Sequence, residues 1–313
     1  MKKVASDSVH IYQNFLLDST RWDHIPERAA DVVVATPYKC GTTWMQNIVL
    51  HLIFQDLKPR NLDDFSPWVD MRLEPIDDLV AQLAAQDHRR CLKSHLPRDG
   101  LRLRKDTRYI VVGRDPRDVF MSFWNHYSSY TPETIAKMND TPGRVGPQLM
   151  PCPDTIQGLW TMWITKGWFE WETEGYPHWS NLRHMQTWWQ DRDRPNILFV
   201  HYNDLLADLT GEIARIADFL DIDCASEIVS AIAELVTFKS MKRDAEVIKP
   251  GAADVFKGGA RTFIYRGTNG RWRDVLTEGD IAMYDAAAKR ELTADCRLWL
   301  ENGRVAPDLK LSS

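Results

Sequence analysis

The chain has 313 residues, 44% of them hydrophobic and 27% charged, which is ample apolar material for the core of one α/β unit with insertions. A formal net charge of −5 excludes a general nucleic-acid binder, since the phosphate backbone is held chiefly by clustered Lys and Arg; any basic site must be local. The five cysteines (Cys40, Cys91, Cys152, Cys224, Cys296) are scattered and form no CxxC pair, which speaks against a disulfide framework or zinc site and fits a reducing cytoplasm.

At the N-terminus, "MKKVASDSVHIYQNF" carries two lysines but no apolar h-region follows, so a soluble, cytoplasmic protein is expected. The first strand is "DVVVATP", a β-branched run ended by Pro37. Trp44, Met45, Ile48, Val49, Leu52 and Ile53 then recur at helical spacing, giving strand, loop and amphipathic helix. Apolar runs such as "NIVLHLIF" are too short to cross a bilayer, so no stable membrane insertion is expected.

The pattern returns at "RYIVVGRDPRDVFMSFWNHY", where a strand gives way at Gly113, Asp115 can cap, and Pro116 opens a helix. Residues 131–158, with five prolines and three glycines, are predicted to be a long surface loop, a lid or substrate loop. Residues 159–189 then gather seven of the thirteen tryptophans. Trp188 and Trp189 read as core anchors, while those near Gly167, Gly175 and Pro177 suit a pocket wall. "NILFVHY" is a further strand, and Leu205, Leu206, Leu209, Ile213, Ile216, Ala217 and Leu220 mark one face of the helical stretch after it. Strands alternating with helices imply crossovers and a mainly parallel sheet in a single domain spanning 1–313, with 278–313 as C-terminal helix and tail.

"TPYKCGTTW" sits at the first strand-to-helix turn, where unpaired N–H groups and the helix dipole favour an anion. By itself it reads more readily as a helix cap than as an anion site. A nucleotide kinase loop has its lysine directly after the glycine, whereas Lys39 lies two places before Gly41. The nine histidines show no HExxH spacing, and no GxSxG elbow is present.

"TPYKCGTTWMQ" resembles the 5′-phosphosulfate loop of the cytosolic sulfotransferases, Tyr-Pro-Lys-Ser-Gly-Thr-Thr-Trp, with the Tyr-Pro order inverted and Cys40 in place of serine. "VVGRDPRDVFMSFWNHY" is similar to the same family's 3′-phosphate segment, with Arg114 and, eight residues on, Ser122. "FIYRGTNGRWRDVLT" resembles its closing loop, Arg-Lys-Gly-x-x-Gly-Asp-Trp-Lys: Gly267, Gly270 and Trp272 keep their places, Arg266 stands for lysine, Tyr265 for arginine and Arg271 for aspartate. "CLKSHLP" matches the Lys-x-His-Leu-Pro segment that carries the family's catalytic base. Without that match, His95 would be read as structural. The likeness runs roughly from Asp31 to Thr277.

The resemblance implies a three-layer α/β/α, P-loop-like fold with a central mainly parallel sheet. It also implies transfer of a sulfuryl group from 3′-phosphoadenosine 5′-phosphosulfate (PAPS) to a hydroxyl or amine, releasing adenosine 3′,5′-bisphosphate without a metal. His95 is then the general base, Lys39 neutralises the bridging oxygen, Lys93 steadies the transferring group, and Ser122 restrains Lys39. Nucleotide contacts would come from Lys39, Cys40, Gly41, Thr42, Thr43, Trp44, Arg114, Ser122, Tyr202, Val236, Phe238, Met241, Tyr265, Arg266 and Gly267. Arg261 or Arg271 would replace the arginine lost at Tyr265.

The acceptor is expected to be a largely apolar small molecule or a glycolipid head, touched by Phe65, Trp68, Trp124 and Tyr130. Of the family's dimer signature, Arg273 and Thr277 fit while Glu278 and Ala282 do not, so a homodimer stays open. Two other readings also stay open: a P-loop nucleotide kinase or phosphotransferase, and a nucleotide-bisphosphate binding module that has lost catalysis.

Overall fold

The structure is a computed structural model and describes residues 10–304; the ends of the expected 1–313 domain, including most of the tail after Asn302, lie outside the described residues. Four strands, β1 (Val32–Ala35), β2 (Cys91–Ser94), β3 (Arg108–Gly113) and β4 (Ile197–His201), form one sheet in the order β2-β1-β3-β4. All pairings are parallel, with Ala35 opposite both Ser94 and Val111, and Gly113 opposite His201. Val32, Val33 and Val34 are wholly buried, as a strand covered on both faces requires. Helices flank the sheet, giving the expected three-layer α/β/α arrangement.

The short β2 has no counterpart in the predicted elements, because its apolar run is only Cys91 and Leu92, too brief for any periodicity. A buried ion pair sets the edge of its pairing with β1: Arg90 Nε donates to Asp31 Oδ1 at 2.8 Å and its Nη2 to Oδ2 at 2.5 Å. These residues directly precede the two strands and are 4% and 1% exposed.

Segment 131–158 is not the continuous loop expected. Thr131 caps a helix over Pro132–Asp140, with Pro132 in its first turn, where a missing N–H costs nothing. The C-terminal part is two helices, Glu278–Glu291 and Ala294–Asn302, broken at Leu292 and Thr293. Among the clustered tryptophans, Trp160, Trp163, Trp179, Trp188 and Trp189 are buried. Trp168 and Trp171 cover the N-terminal segment, at 5.1 Å from Phe15 and 5.5 Å from Tyr12. Most of this group is packing, as the commoner role of buried aromatics suggests.

Because β1 lies between β2 and β3, connections leave it in both directions, and the crevice at the carboxyl ends of such strands is where open α/β sheets bind ligands. Each strand here delivers a residue to that end: Thr36 after β1, His95 after β2, Arg114 after β3 and Tyr202 after β4.

Candidate active site

Pro37 follows the strand, and the chain then turns through left-handed conformations at Lys39 (φ 64°) and Gly41 (φ 104°) before α1 (Thr42–Phe54) begins. A side chain at Gly41 would bring its Cβ to 3.0 Å from the Tyr202 ring, so glycine is required by both backbone and space. Among the described residues no side chain caps the first turn of α1, which leaves that helix end open to an anion. Gly41, Thr42, Thr43 and Trp44 line a cavity of about 1090 Å³.

Lys39 and Lys93 enter the same cavity. The Lys39 ammonium donates to His126 Nδ1 at 3.1 Å and lies 4.9 Å from the Phe263 ring. Burial, then the nearby Arg114, pushes its pKa down to about 7. Lys93 lies 4.0 Å from the Trp68 ring, and burial together with Lys249 holds it down to about 7 as well. Two ammonium groups with weakened hold on their charge fit a site awaiting an anion.

His95 is 6% exposed and its tautomer follows from its partners. Nδ1 is 2.7 Å from the Thr36 carbonyl, which can only accept, so the proton sits on Nδ1 and Nε2 keeps its lone pair. The wholly buried Asp70 accepts the His95 backbone N–H at 2.9 Å and the Trp68 indole N–H at 2.7 Å, fixing base and neighbouring wall together. Trp68 stands edge-on to the imidazole at 4.7 Å. Burial, then Lys93, holds the His95 pKa well below its usual value, so the ring is neutral at pH 7 and able to accept a proton.

The other end of the cavity is basic. Arg114, 5% exposed, uses Nε and Nη2 on Asn269 Oδ1 (2.9 and 2.6 Å), Nη2 on the Thr268 carbonyl (3.1 Å) and Nη1 on the Lys39 carbonyl (3.2 Å). That leaves one Nη1 hydrogen uncommitted. The guanidinium also lies 4.2 Å from the Tyr202 ring. The loop it holds is anchored by Asp118, which accepts the Gly270 N–H at 2.7 Å. In that loop Gly267 has φ 65°, and a Cβ there would meet the Phe238 ring at 2.4 Å. Arg271 joins Arg114 and Arg266 in the lining; its buried Nε has no hydrogen-bond partner among the described residues, and burial and Arg114 lower its pKa.

Most residues picked from the sequence meet in this one cavity: Lys39, Gly41, Thr42, Thr43, Trp44, Lys93, His95, Arg114, Ser122, Tyr202, Phe238, Met241, Tyr265, Arg266 and Gly267, together with Trp68 and Tyr130 of the expected acceptor contacts. Four do not. The Cys40 side chain is wholly buried, 4.0 Å from the Asn181 amide, and burial pushes its thiol up to about 12. Val236 packs in the core at the end of its helix, and the next residue, Thr237, reaches the cavity instead. Phe65 turns away to Phe54 (5.6 Å) and His88 (5.7 Å). Trp124 lies two positions from Ser122 on the helix Pro116–Ser128, roughly 200° around it, and packs on the core.

The same helix geometry explains two further outcomes. His126, four residues beyond Ser122, shares its face and takes the Lys39 contact expected of Ser122. The i, i+4 spacing was the signal for it. Arg261, 72% exposed beside Glu246, is no part of the cavity, unlike Arg271. Asp70 and His178 were missed altogether; neither belongs to a motif that would mark it.

Residues 29–296 match the family model described as the sulfotransferase domain. A glycolipid sulfotransferase of Mycobacterium bovis is 31% identical over 314 aligned positions, covering 95% of this chain and 96% of that protein. Among solved structures, retinol dehydratase in complex with androsterone and inactive cofactor PAP superposes with a TM-score of 0.67 at 23% identity, covering 89% of this chain and 87% of that one. A mouse sulfotransferase complexed with PAP gives 0.68 at 18% identity, covering 91% and 93%. The kinase and inactive-module readings fall with these matches: the chain belongs to the sulfotransferase family and is an enzyme of it.

Proposed function

We propose that this enzyme transfers the sulfuryl group of PAPS to a hydroxyl of a glycolipid or another small acceptor, releasing adenosine 3′,5′-bisphosphate, without a metal and in the cytoplasm. The observation that carries the proposal is His95: its Nδ1–H is committed to the Thr36 carbonyl, so Nε2 is a free, neutral base in the cavity that also holds Lys39 and Lys93. PAPS supplies a sulfuryl group on a stable phosphate leaving group. The protein residues do the rest.

His95 Nε2 takes the acceptor's proton as its oxygen bonds to sulfur, the S–O bond to the 5′-phosphate breaks, and the electron pair stays on the departing oxygen. Lys39 serves that oxygen, where charge develops, and Lys93 the transferring oxygens. Until a nucleotide is present, the contact with His126 holds Lys39 back.

The fit for a 3′-phosphate rests on Arg114, Ser122 and Arg271. Arg114 has one uncommitted hydrogen, and the orphaned Arg271 Nε is the buried donor best suited to replace the arginine absent at position 265. The name of the mycobacterial relative supports a glycolipid acceptor. So does the cavity's lining, in which Asp64, Gln82 and Gln86 offer partners for sugar hydroxyls, while Leu16, Met71, Leu73 and Met138 offer apolar surface.

The test is calorimetric titration with adenosine 3′,5′-bisphosphate and with ATP, each with magnesium and with a chelator, followed by PAPS turnover with lipid-linked sugars. Tight, metal-independent bisphosphate binding and PAPS-dependent sulfation are expected. Preference for magnesium–ATP would overturn the proposal.

A further inference from the structure

Beside the base lies a second imidazole that the transfer step does not use. His178 is 2% exposed and lines the same cavity as Lys39 and His95, and neither of its ring nitrogens has a hydrogen-bond partner among the described residues. Its ring is stacked on Trp179 (5.1 Å, 17°) and stands edge-on to Phe123 (4.8 Å) and Tyr38 (5.2 Å). These rings fix its orientation but offer its nitrogens no strong partner. Trp179 also lies 5.9 Å from His95, so both imidazoles border one indole in the lining of the same cavity.

An unpartnered buried polar atom is costly, and folded proteins keep few of them. Here a single ring carries two. Burial, then Lys39, holds the His178 pKa down to about 3, so the ring is neutral and presents one N–H donor and one lone pair. A hydroxyl group can serve either nitrogen, accepting from the N–H or donating to the lone pair, whereas a carboxylate can serve only the N–H and an ammonium only the lone pair.

We infer that His178 binds a second hydroxyl of the acceptor, next to the one that His95 deprotonates, and so selects acceptors with neighbouring hydroxyls, as in a sugar head group. This rests on the sulfotransferase reading above and narrows it. Sites built to hydrogen-bond a substrate hydroxyl discriminate strongly against analogues that lack it, because the site's own polar group is then left unpaired.

The test uses PAPS with three acceptors on one decyl chain: 4-decylcyclohexanol, trans-4-decylcyclohexane-1,2-diol, and the analogue with a carboxylate in place of the second hydroxyl. The wild-type protein should show kcat/KM for the diol at least about tenfold above the monool, with the carboxylate poorest. His178→Phe, which keeps an aromatic ring in the stack, should bring the diol-to-monool ratio close to one. His178→Gln, which retains a donor and an acceptor, should restore part of it. Titration with adenosine 3′,5′-bisphosphate reports that both variants are folded. Equal wild-type rates on diol and monool, preference for the carboxylate, or an undiminished ratio in His178→Phe each overturn the inference while leaving sulfation standing. Absence of bisphosphate release with every acceptor overturns the sulfotransferase reading itself.

Discussion

His95→Asn separates catalysis from architecture. The Asn amide nitrogen falls near the position of Nδ1, so it can keep the bond to the Thr36 carbonyl now made at 2.7 Å. The backbone bond to Asp70 is untouched, since it comes from the His95 main chain. If the Thr36 bond were lost anyway, the stability cost would be about 0.5–1.5 kcal/mol. What the substitution removes for certain is the Nε2 lone pair, and a positioned general base contributes typically about 10²–10⁴-fold in rate, or about 2.7–5.4 kcal/mol of barrier.

The assay is single-turnover release of adenosine 3′,5′-bisphosphate from PAPS with acceptor, alongside calorimetric nucleotide affinity. The chemical step should fall by two to four orders of magnitude (about 10²–10⁴) with nucleotide affinity held within about twofold. A variant that keeps more than about a tenth of the wild-type rate would falsify the assignment of His95 as base. Equal loss of nucleotide affinity in a folded variant would show instead that the ring serves the anion loop.

The wild-type pH profile follows from the same groups. His95 must be neutral, and its lowered pKa puts the acid limb of kcat/KM below 6.5; Lys39 must be charged, so kcat/KM falls as pH rises through about 7. Bound nucleotide favours the charged ammonium, so the alkaline limb of kcat should lie higher; identical alkaline limbs would contradict the placing of Lys39. Arg271→Gln should weaken adenosine 3′,5′-bisphosphate by about 10–150-fold, the worth of a charge-assisted hydrogen bond of about 1.5–3 kcal/mol, and leave adenosine 5′-phosphate unchanged. Arg261→Gln should alter neither, and calorimetry distinguishes them. His126→Phe should raise acceptor-independent hydrolysis of PAPS by freeing Lys39, and an unchanged background rate would remove the restraining role. Asp31→Ala should cost about 3–5 kcal/mol in denaturant unfolding, because it leaves the Arg90 guanidinium buried without its partner.

How much of this was legible beforehand depended on whether a feature is local. Gly41 needs a left-handed turn, Val32–Ala35 needs cover on both faces, and Asp115 with Pro116 opens a helix; each is a short-range steric or hydrogen-bonding fact written in consecutive residues. The same holds for the anion loop and for Lys-x-His-Leu-Pro, where spacing along the chain is also spacing in the site. The side chains of Cys40 and Val236 stay out of the cavity for the converse reason. Position within a motif does not say which way a side chain points, and both side chains are buried in the core.

The sequence by itself therefore determined the class of fold, the family and the candidate residues for its chemistry, because the turns after the strands carry them in segments a few residues long. Only the tertiary structure decided that the proton of His95 sits on Nδ1, that His126 and not Ser122 holds Lys39, that Arg271 and not Arg261 faces the cavity, and that His178 lacks a partner. Those outcomes depend on groups far apart in the chain, such as Thr36 and His95 or Lys39 and His126, and their direction is set by burial and hydrogen-bond geometry that no local pattern encodes.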